Sequence, residues 1–361
     1  MSRVAIITDS HFGARSDAQN FYEYFKQSNE KMFQTIDGLG ITTLLHLGDV
    51  FDRRKYINYL TAKRAREDFF EPLHKRGITC HFLVGNHDVS YKNTNEVNSL
   101  IEMLRGYENF IVYTEPTEIE LYDNKILLLP WICDANKKAS VDLIKNTTAT
   151  ICLGHLSVNG YEQNRGHIRE GANVEDFNKS DFNRFSIVAS GHFHHKSSVD
   201  NIHYLGAAYE FTWADHNDPR GYHIFDFSDL SFTFYQNPFK KFHMIVYDDI
   251  GQPEKVQEHI KTTDFSYLEN CYVKVVVVGR NNPYLFDLFI DKLYKASPVD
   301  ISMVEDAVLF DDTGEGDLDQ VEDTVTLISN YIDGLQLSLD STKMKSMMKS
   351  IYQEAMILEE V

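Results

Sequence analysis

Five short apolar runs in this chain each stop at residues that can bind a metal ion, and that recurrence constrains the fold more than any other feature. Residues 4–7 run into Thr8-Asp9-Ser10-His11. Residues 42–47 run into Gly48-Asp49-Val50-Phe51-Asp52-Arg53, and residues 78–84 into Gly85-Asn86-His87-Asp88. Later, Cys152-Leu153 leads to Gly154-His155, and Val188-Ala189-Ser190 to Gly191-His192-Phe193-His194. Short apolar runs that end at glycine and polar residues read as buried strands. In open α/β sheets ligands gather at the carboxyl ends of strands, so all five tips can converge on one site. Singly, each residue has an ordinary explanation. Asn and Asp beside Gly are turn vocabulary, Asp9 or Asp49 could cap a helix, and His155 could be a hydrogen-bonded core residue. Five matching strand ends point instead to a metal centre.

The donor set suits two divalent ions. Alternate residues of an extended chain face the same side, so Asp9 with His11, and His192 with His194, can each reach one ion. Asp49 stands alone, and a carboxylate can bridge two ions. Carboxylate, imidazole and amide donors without thiolate favour manganese, iron or zinc over calcium. Two ions roughly 3.5–4 Å apart can clamp a phosphate and activate water at neutral pH. Of the remaining histidines, His81, His195, His203, His216 and His223 read as structural.

Around these tips the pattern is α/β. Strands at 4–9, 42–47 and 78–84 alternate with helices through Phe21, Phe25, Met32, Phe33 and Ile36, over 58–76 with Leu60, Ala65, Phe69 and Leu73 inward, and over 95–105. Strands follow at 110–113, 118–122, 125–130, 149–154, 186–190, 202–205, 222–227 and 231–235, with a hairpin turn at Asp123-Asn124. The expected fold is a two-sheet α/β/β/α sandwich over residues 1–240. A small α+β unit is expected over 241–310, an acidic linker at 311–317, and a pair of amphipathic helices over 318–361. In the last helix Met344, Met348, Ile351 and Ala355 fall at steps of three and four. With Met347, they suit either packing on the parent domain or docking onto a partner protein.

Net charge is −19, which argues against a polyanionic partner until its distribution is considered. Residues 296–342 hold twelve Asp or Glu and no Lys or Arg, and residues 343–361 are balanced, so residues 1–295 carry only −7. Nucleic acid is therefore not excluded. Arg53, Arg54, Lys55, Lys63, Arg64 and Arg66 form the best basic cluster, beginning four residues after Asp49. It reads as a phosphate-binding lip or as a solvated helix face. Four dispersed cysteines suit reduced thiols, no apolar run is long enough to cross a bilayer, and no cleavage site follows the N-terminus. The expected location is therefore the cytoplasm.

The ordered set Asp-x-His, Gly-Asp-x-x-Asp, Gly-Asn-His-Asp, Gly-His and Gly-His-x-His over residues 9–194 resembles the calcineurin-like metallophosphoesterase superfamily. Within it, the chain resembles the SbcD-type nuclease subunits of double-strand-break repair complexes, especially their tailed-phage recombination version. Residues 48–55, Pro130-Trp131-Ile132-Cys133 and Asn217-Asp218-Pro219-Arg220-Gly221 extend the likeness, which is only architectural beyond residue 225. The resemblance implies a DNA exonuclease or endonuclease with two divalent ions, Mn²⁺ first, with Mg²⁺, Fe²⁺ or Zn²⁺ as alternatives. One ion would take Asp9, His11, Asp49 and His194, and the other Asp49, Asn86, His155 and His192. His87 would be the acid near the leaving oxygen. The resemblance also implies a DNA-facing capping domain, C-terminal helices that dock on an SbcC-like SMC-type ATPase, a homodimer, and the host cytoplasm if the chain is phage-encoded. Some members carry His where Asp52 stands, so its role is left open. A phosphoprotein or nucleotide phosphatase on the same fold, or a non-catalytic interaction module, remain the rival readings.

Overall fold

The computed structural model describes residues 2–164 and 167–304. In chain order, the first sheet takes β1 (Arg3–Ile7), β2 (Thr43–His46), β3 (Thr79–Leu83) and β4 (Phe110–Tyr113). The second takes β5 (Thr117–Leu121), β6 (Asn124–Leu129), β7 (Ile151–His155), β8 (Ile187–Gly191), β9 (Ser197–Val199) and β10 (Ile202–Tyr204). The chain then returns to the first sheet with β11 (Gly221–Asp226) and β12 (Ser231–Gln236). Spatial order is β12-β11-β1-β2-β3-β4 in one sheet and β9-β10-β8-β7-β6-β5 in the other. Strands β1 to β4 are parallel, as are β6, β7, β8 and β10, whereas β11 runs antiparallel to β1.

The strands are apolar on both faces because both faces are covered. Val4, Ile6, Leu45 and Leu83 meet Ile126, Leu128, Ile151, Leu153 and Ala189 between the sheets. Ala5, Ile7, Leu44, Cys80 and Phe82 point outward, into one core with Phe25, Met32, Phe69 and Leu73 from the helices. On the far side Leu127, Leu129, Cys152 and Val188 pack with Ile144 and Phe182. The result is the expected α/β/β/α sandwich.

Helix α1 (Gln19–Leu39) buries Phe21, Phe25, Met32, Phe33 and Ile36, and ends at Gly40 in the left-handed region. Helix α2 (Tyr59–Ala65) continues through a π-helical turn (Arg66–Phe70) into α3 (Glu71–Lys75). That turn corrects the expected inward face. A π-turn adds a residue to the helical repeat, so the stripe through Phe69 and Leu73 does not extrapolate back to Leu60. Leu60 is 45% exposed, while Thr61 and Ala65 are buried. The helix expected over 95–105 is also shorter, because Thr94–Asn98 is a strand paired with Val89–Tyr91. Asn95 donates to the carbonyls of Thr114 and Trp131, which holds it extended, and Asn98 caps α4 (Ser99–Leu104). The β5–β6 hairpin turns at Tyr122-Asp123, one residue earlier than expected, with φ of 49° and 62°. Helix α5 (Lys137–Asn146) covers the outer face of the second sheet.

Residues 242–304 form a parallel three-stranded sheet, β13 (Phe242–Asp248), β14 (Tyr272–Gly279) and β15 (Asp300–Val304), with α6 (Pro253–Thr262) and α7 (Pro283–Lys295). Its own core includes Tyr247, Leu268, Val273, Phe286 and Phe289. Lys241 joins this layer to the sandwich: its Nζ donates to the carbonyls of Asn20 and Asn270, and its N–H to Glu210. The linker expected at 311–317, the helices at 318–361, and Met344, Met347, Met348, Ile351 and Ala355 lie outside the described residues. No helix among the described residues is long and apolar enough to cross a membrane.

Candidate metal centre

The loops after β1 and β2 are zipped together at the carboxyl edge of the first sheet. Asp9 N–H donates to the Gly48 carbonyl at 3.0 Å, His11 N–H to that of Asp49 at 3.1 Å, and Phe12 N–H to that of Val50 at 2.8 Å. This scaffold holds Asp9, His11, Asp49 and also His192 at positive φ (51°, 42°, 53° and 84°). Each such residue costs on the order of 1 kcal/mol or more and persists only where its surroundings over-determine it. The glycine at the third tip is there for space rather than for a sharp turn. A Cβ on Gly85 would sit 2.2 Å from the Asp49 nitrogen and Oδ1. One on Gly191 would sit 2.0 Å from Thr8 Oγ1.

Both sheets contribute. His155 Nδ1 donates to the Leu47 carbonyl at 2.7 Å, and His192 N–H donates to Asp9 at 3.1 Å. Asp9, His11 and His194 form one set of facing donors, with His11 Nε2 and His194 Nε2 3.0 Å apart. Asp49, His155 and His192 form another, and Asn86 Oδ1 joins it 2.9 Å from His155 Nε2. Asp49 Oδ2 lies between the two sets, 3.7 Å from His11 Nε2 and 3.4 Å from His155 Nε2. All seven residues expected as ligands are thus brought together.

These donors fit divalent cations. Because His155 Nδ1 is committed to a carbonyl, its Nε2 faces the oxygens of Asn86 and Asp49, and a proton or a cation at Nε2 reconciles them. Burial alone would lower His155, but Asp49 and Asp9 outweigh it and push it up to about 9. His11 is likewise pushed up to about 9 against burial, by Asp52, Asp49 and Asp9. Burial raises Asp49, but the charges of His155, His87 and His11 hold it well below the usual carboxylate range. Burial, then the neighbouring His155, lowers His192 to about 3, and burial with His11 holds His194 well below its ordinary value. The same negative field that retains protons on His11 and His155 attracts metal ions.

His87 lies beside these sets. Its N–H donates to Asp49 Oδ1 at 2.7 Å, and its Nδ1 donates to the Asp52 carbonyl at 2.6 Å, which leaves Nε2 free. Its ring meets His11 edge-on at 4.8 Å. Asp88 is a brace: Oδ1 accepts from the N–H groups of Val50 and Phe51, and Oδ2 from that of Gly85.

Two residues the sequence left without a role stand here. Asp52 holds His87 through its carbonyl, while its carboxylate lies 3.4 Å from His11 Nδ1. Trp131 packs 5.1 Å from the His192 ring and 6.0 Å from that of His155. The signal for Asp52 was its position three residues after Asp49. Trp131 had none beyond a strand-end Pro-Trp, because the contact joins distant segments.

The basic cluster is partly neutralised. Arg53 pairs with Asp17 at 3.3 Å, and Lys63 with Glu67 at 3.9 Å. Arg54 has a buried Nη1 without a hydrogen-bond partner, and Lys55 is exposed. His81 bonds Tyr113 and His203 bonds Ser198, in keeping with structural roles. His195 instead belongs to a charged network.

Comparison with known proteins agrees with this geometry. The calcineurin-like phosphoesterase family matches residues 2–196. "Exonuclease subunit 1" of Enterobacteria phage T4 is 30% identical over 342 residues, which cover 94% of this chain and 95% of that one. The SbcD component of the nuclease SbcCD from Staphylococcus saprophyticus is 25% identical over 124 residues, 33% of each chain. Among solved structures, a dimetal phosphatase from Danio rerio aligns with 62% of this chain and 92% of its own, at 10% identity and a TM-score of 0.40. With the family spanning the strand tips that carry all seven donors, and a relative alike over nearly the whole length, the chain belongs to the calcineurin-like metallophosphoesterases.

Proposed function

We propose that this protein is the nuclease subunit of an SbcCD-like recombination and double-strand-break repair complex, hydrolysing DNA phosphodiesters with two divalent ions, Mn²⁺ foremost. The two-ion part of this reading rests on the position of Asp49 Oδ2 between the two donor sets, and its nuclease part on the likeness to the phage T4 exonuclease subunit over 94% of this chain. Asp9, His11 and His194 would hold one ion, and Asn86, His155 and His192 the other, with Asp49 shared. Ions held there would supply charge to clamp a phosphodiester and would lower the pKa of a water molecule.

The chain's own residues do the rest. His87 is fixed through Nδ1 and presents Nε2, from which a proton passes to the departing sugar oxygen. Asp88 keeps the Gly85–Asp88 turn against the Asp49 loop. Arg54 and Lys55 offer phosphate contacts, and Trp131 walls off one side of the donor set. The layer at 241–310 would cap the DNA. The segment at 318–361, with Met344, Met347, Met348, Ile351 and Ala355, would dock on an SMC-type ATPase, within a dimer working in the cytoplasm. The phage T4 relative, named an exonuclease subunit, supports this because its likeness runs through the C-terminal part as well.

A phosphatase on this fold would share the metal machinery, so substrate decides. With Mn²⁺, the protein should degrade a labelled DNA duplex, more strongly when co-expressed with its ATPase subunit, and leave a phosphopeptide intact. Phosphopeptide hydrolysis without DNA cleavage would overturn the reading.

A further inference from the structure

Beside the metal centre, Asn217-Asp218-Pro219-Arg220-Gly221 builds a buried charged network that no ligand assignment uses. Arg220, Asp215 and Asp218 are all buried. The Arg220 guanidinium bonds Asp215 and lies 3.1 Å from Asp218 Oδ2, while its Nη1 donates to the backbone carbonyl of His194. The Ala207 N–H donates to that same carbonyl at 3.0 Å. The next residue, His195, places Nδ1 2.9 Å from Asp218 Oδ2 and Nε2 3.3 Å from Glu162. The peptide between His194 and His195 is therefore gripped at its carbonyl by Arg220 and through the following ring by Asp218.

The two metal-facing histidines of this loop are secured differently. His192 donates its N–H to Asp9 and packs against Trp131. The His194 side chain is 30% exposed, against 4% for His11 and none for His155, so packing restrains it less than either. A buried guanidinium with two carboxylates is rigid, and its planar fork cannot be reproduced by an ammonium.

We propose that Arg220, oriented by Asp215 and Asp218, is a positioning residue for His194. It makes the ion on Asp9, His11 and His194 depend on the Asn-Asp-Pro-Arg-Gly loop, and leaves the ion on Asn86, His155 and His192 independent of it. The proposal rests on the two-metal reading. The test is Mn²⁺ titration of the full chain by calorimetry and electron paramagnetic resonance, with Arg220→Lys and Asp218→Asn. The wild type should bind two ions with a coupled-pair signal. Arg220→Lys should bind one ion unchanged and the other about 10- to 100-fold more weakly, a magnitude usual for residues behind a metal ligand. The coupled signal should return at excess Mn²⁺. Equal weakening of both ions, or of neither, overturns the proposal. If circular dichroism shows Arg220→Lys unfolded, Asp218→Asn decides by the same criterion. A wild type that binds fewer than two ions overturns the two-metal reading as well, a result distinct from failure of the variants alone.

Discussion

His87 and Asp49, the proposed acid and shared ligand, are linked by a hydrogen bond from the His87 N–H to Asp49 Oδ1. His87 Nδ1 is committed to the Asp52 carbonyl, as His155 Nδ1 is to that of Leu47, so metal occupancy in a variant separates proton transfer, the proposed role, from ligation. His87→Ala should lower kcat on a labelled duplex by roughly 10²- to 10⁴-fold while Mn²⁺ titration still finds both ions. Lost metal occupancy in that variant would make His87 a ligand. Asp49→Asn should weaken both ions together, since Oδ2 faces both donor sets. Unaltered Mn²⁺ affinity would reject the shared position.

At the scale of elements, the segment after β2 turns from metal site to basic lip within a few residues. Asp17 and Glu67 already pair with Arg53 and Lys63, which leaves Arg54, Lys55, Arg64 and Arg66 of the cluster for phosphate, with Arg54 and Lys55 nearest in sequence to Asp49. Replacing Arg54 and Lys55 with Ala should lower the slope of log affinity against log salt for DNA by about one each, measured by fluorescence anisotropy. The same change at Lys63 should lower it less, and equal slopes in all three variants would place DNA elsewhere. Strand ends were legible in sequence because each combines a doubly buried apolar run with an abrupt polar stop. Leu60 was misread because the π-turn shifts helical phase, which no residue pattern announces. Asn95 was misread because its partners, Thr114 and Trp131, are tertiary. The Arg220 network was visible only as a motif, since its target is a backbone carbonyl on another strand's loop.

For the molecule as a whole, acid sensitivity has a source outside the metal site. His81 and His223 are buried and neutral. Burial lowers His81 to about 4, and burial with the Lys196 charge lowers His223 to about 3. The unfolded chain takes up protons near pH 6.5, so the folded state binds fewer protons below that value. The stability these groups contribute is present above pH 6.5 and is lost as pH falls toward 4 and 3. Each should cost about 2–3 kcal/mol by pH 4.5. Urea denaturation in chelator at pH 7 and 4.5 measures the loss. His223→Phe, set among Phe232 and Phe234, should recover about one proton's share of it. An unchanged loss would place the acid sensitivity elsewhere.

The sheet order also bears on how the protein is made. Strand β1, which carries Asp9 and His11 at its tip, is completed on one side by β2 and on the other by β11, with Arg3 opposite Asp226. A nascent chain that has left the ribosome as far as His194 holds every expected metal ligand, yet β1 still has an open edge and Arg220 has not emerged. Pairing across so long a loop forms slowly. Nuclease activity should thus appear only after synthesis has passed the sandwich, when the C-terminal segments are close behind. A fragment cut where the family match ends, at residue 196, would contain the whole ligand list and lack the strand that closes the sheet beneath it.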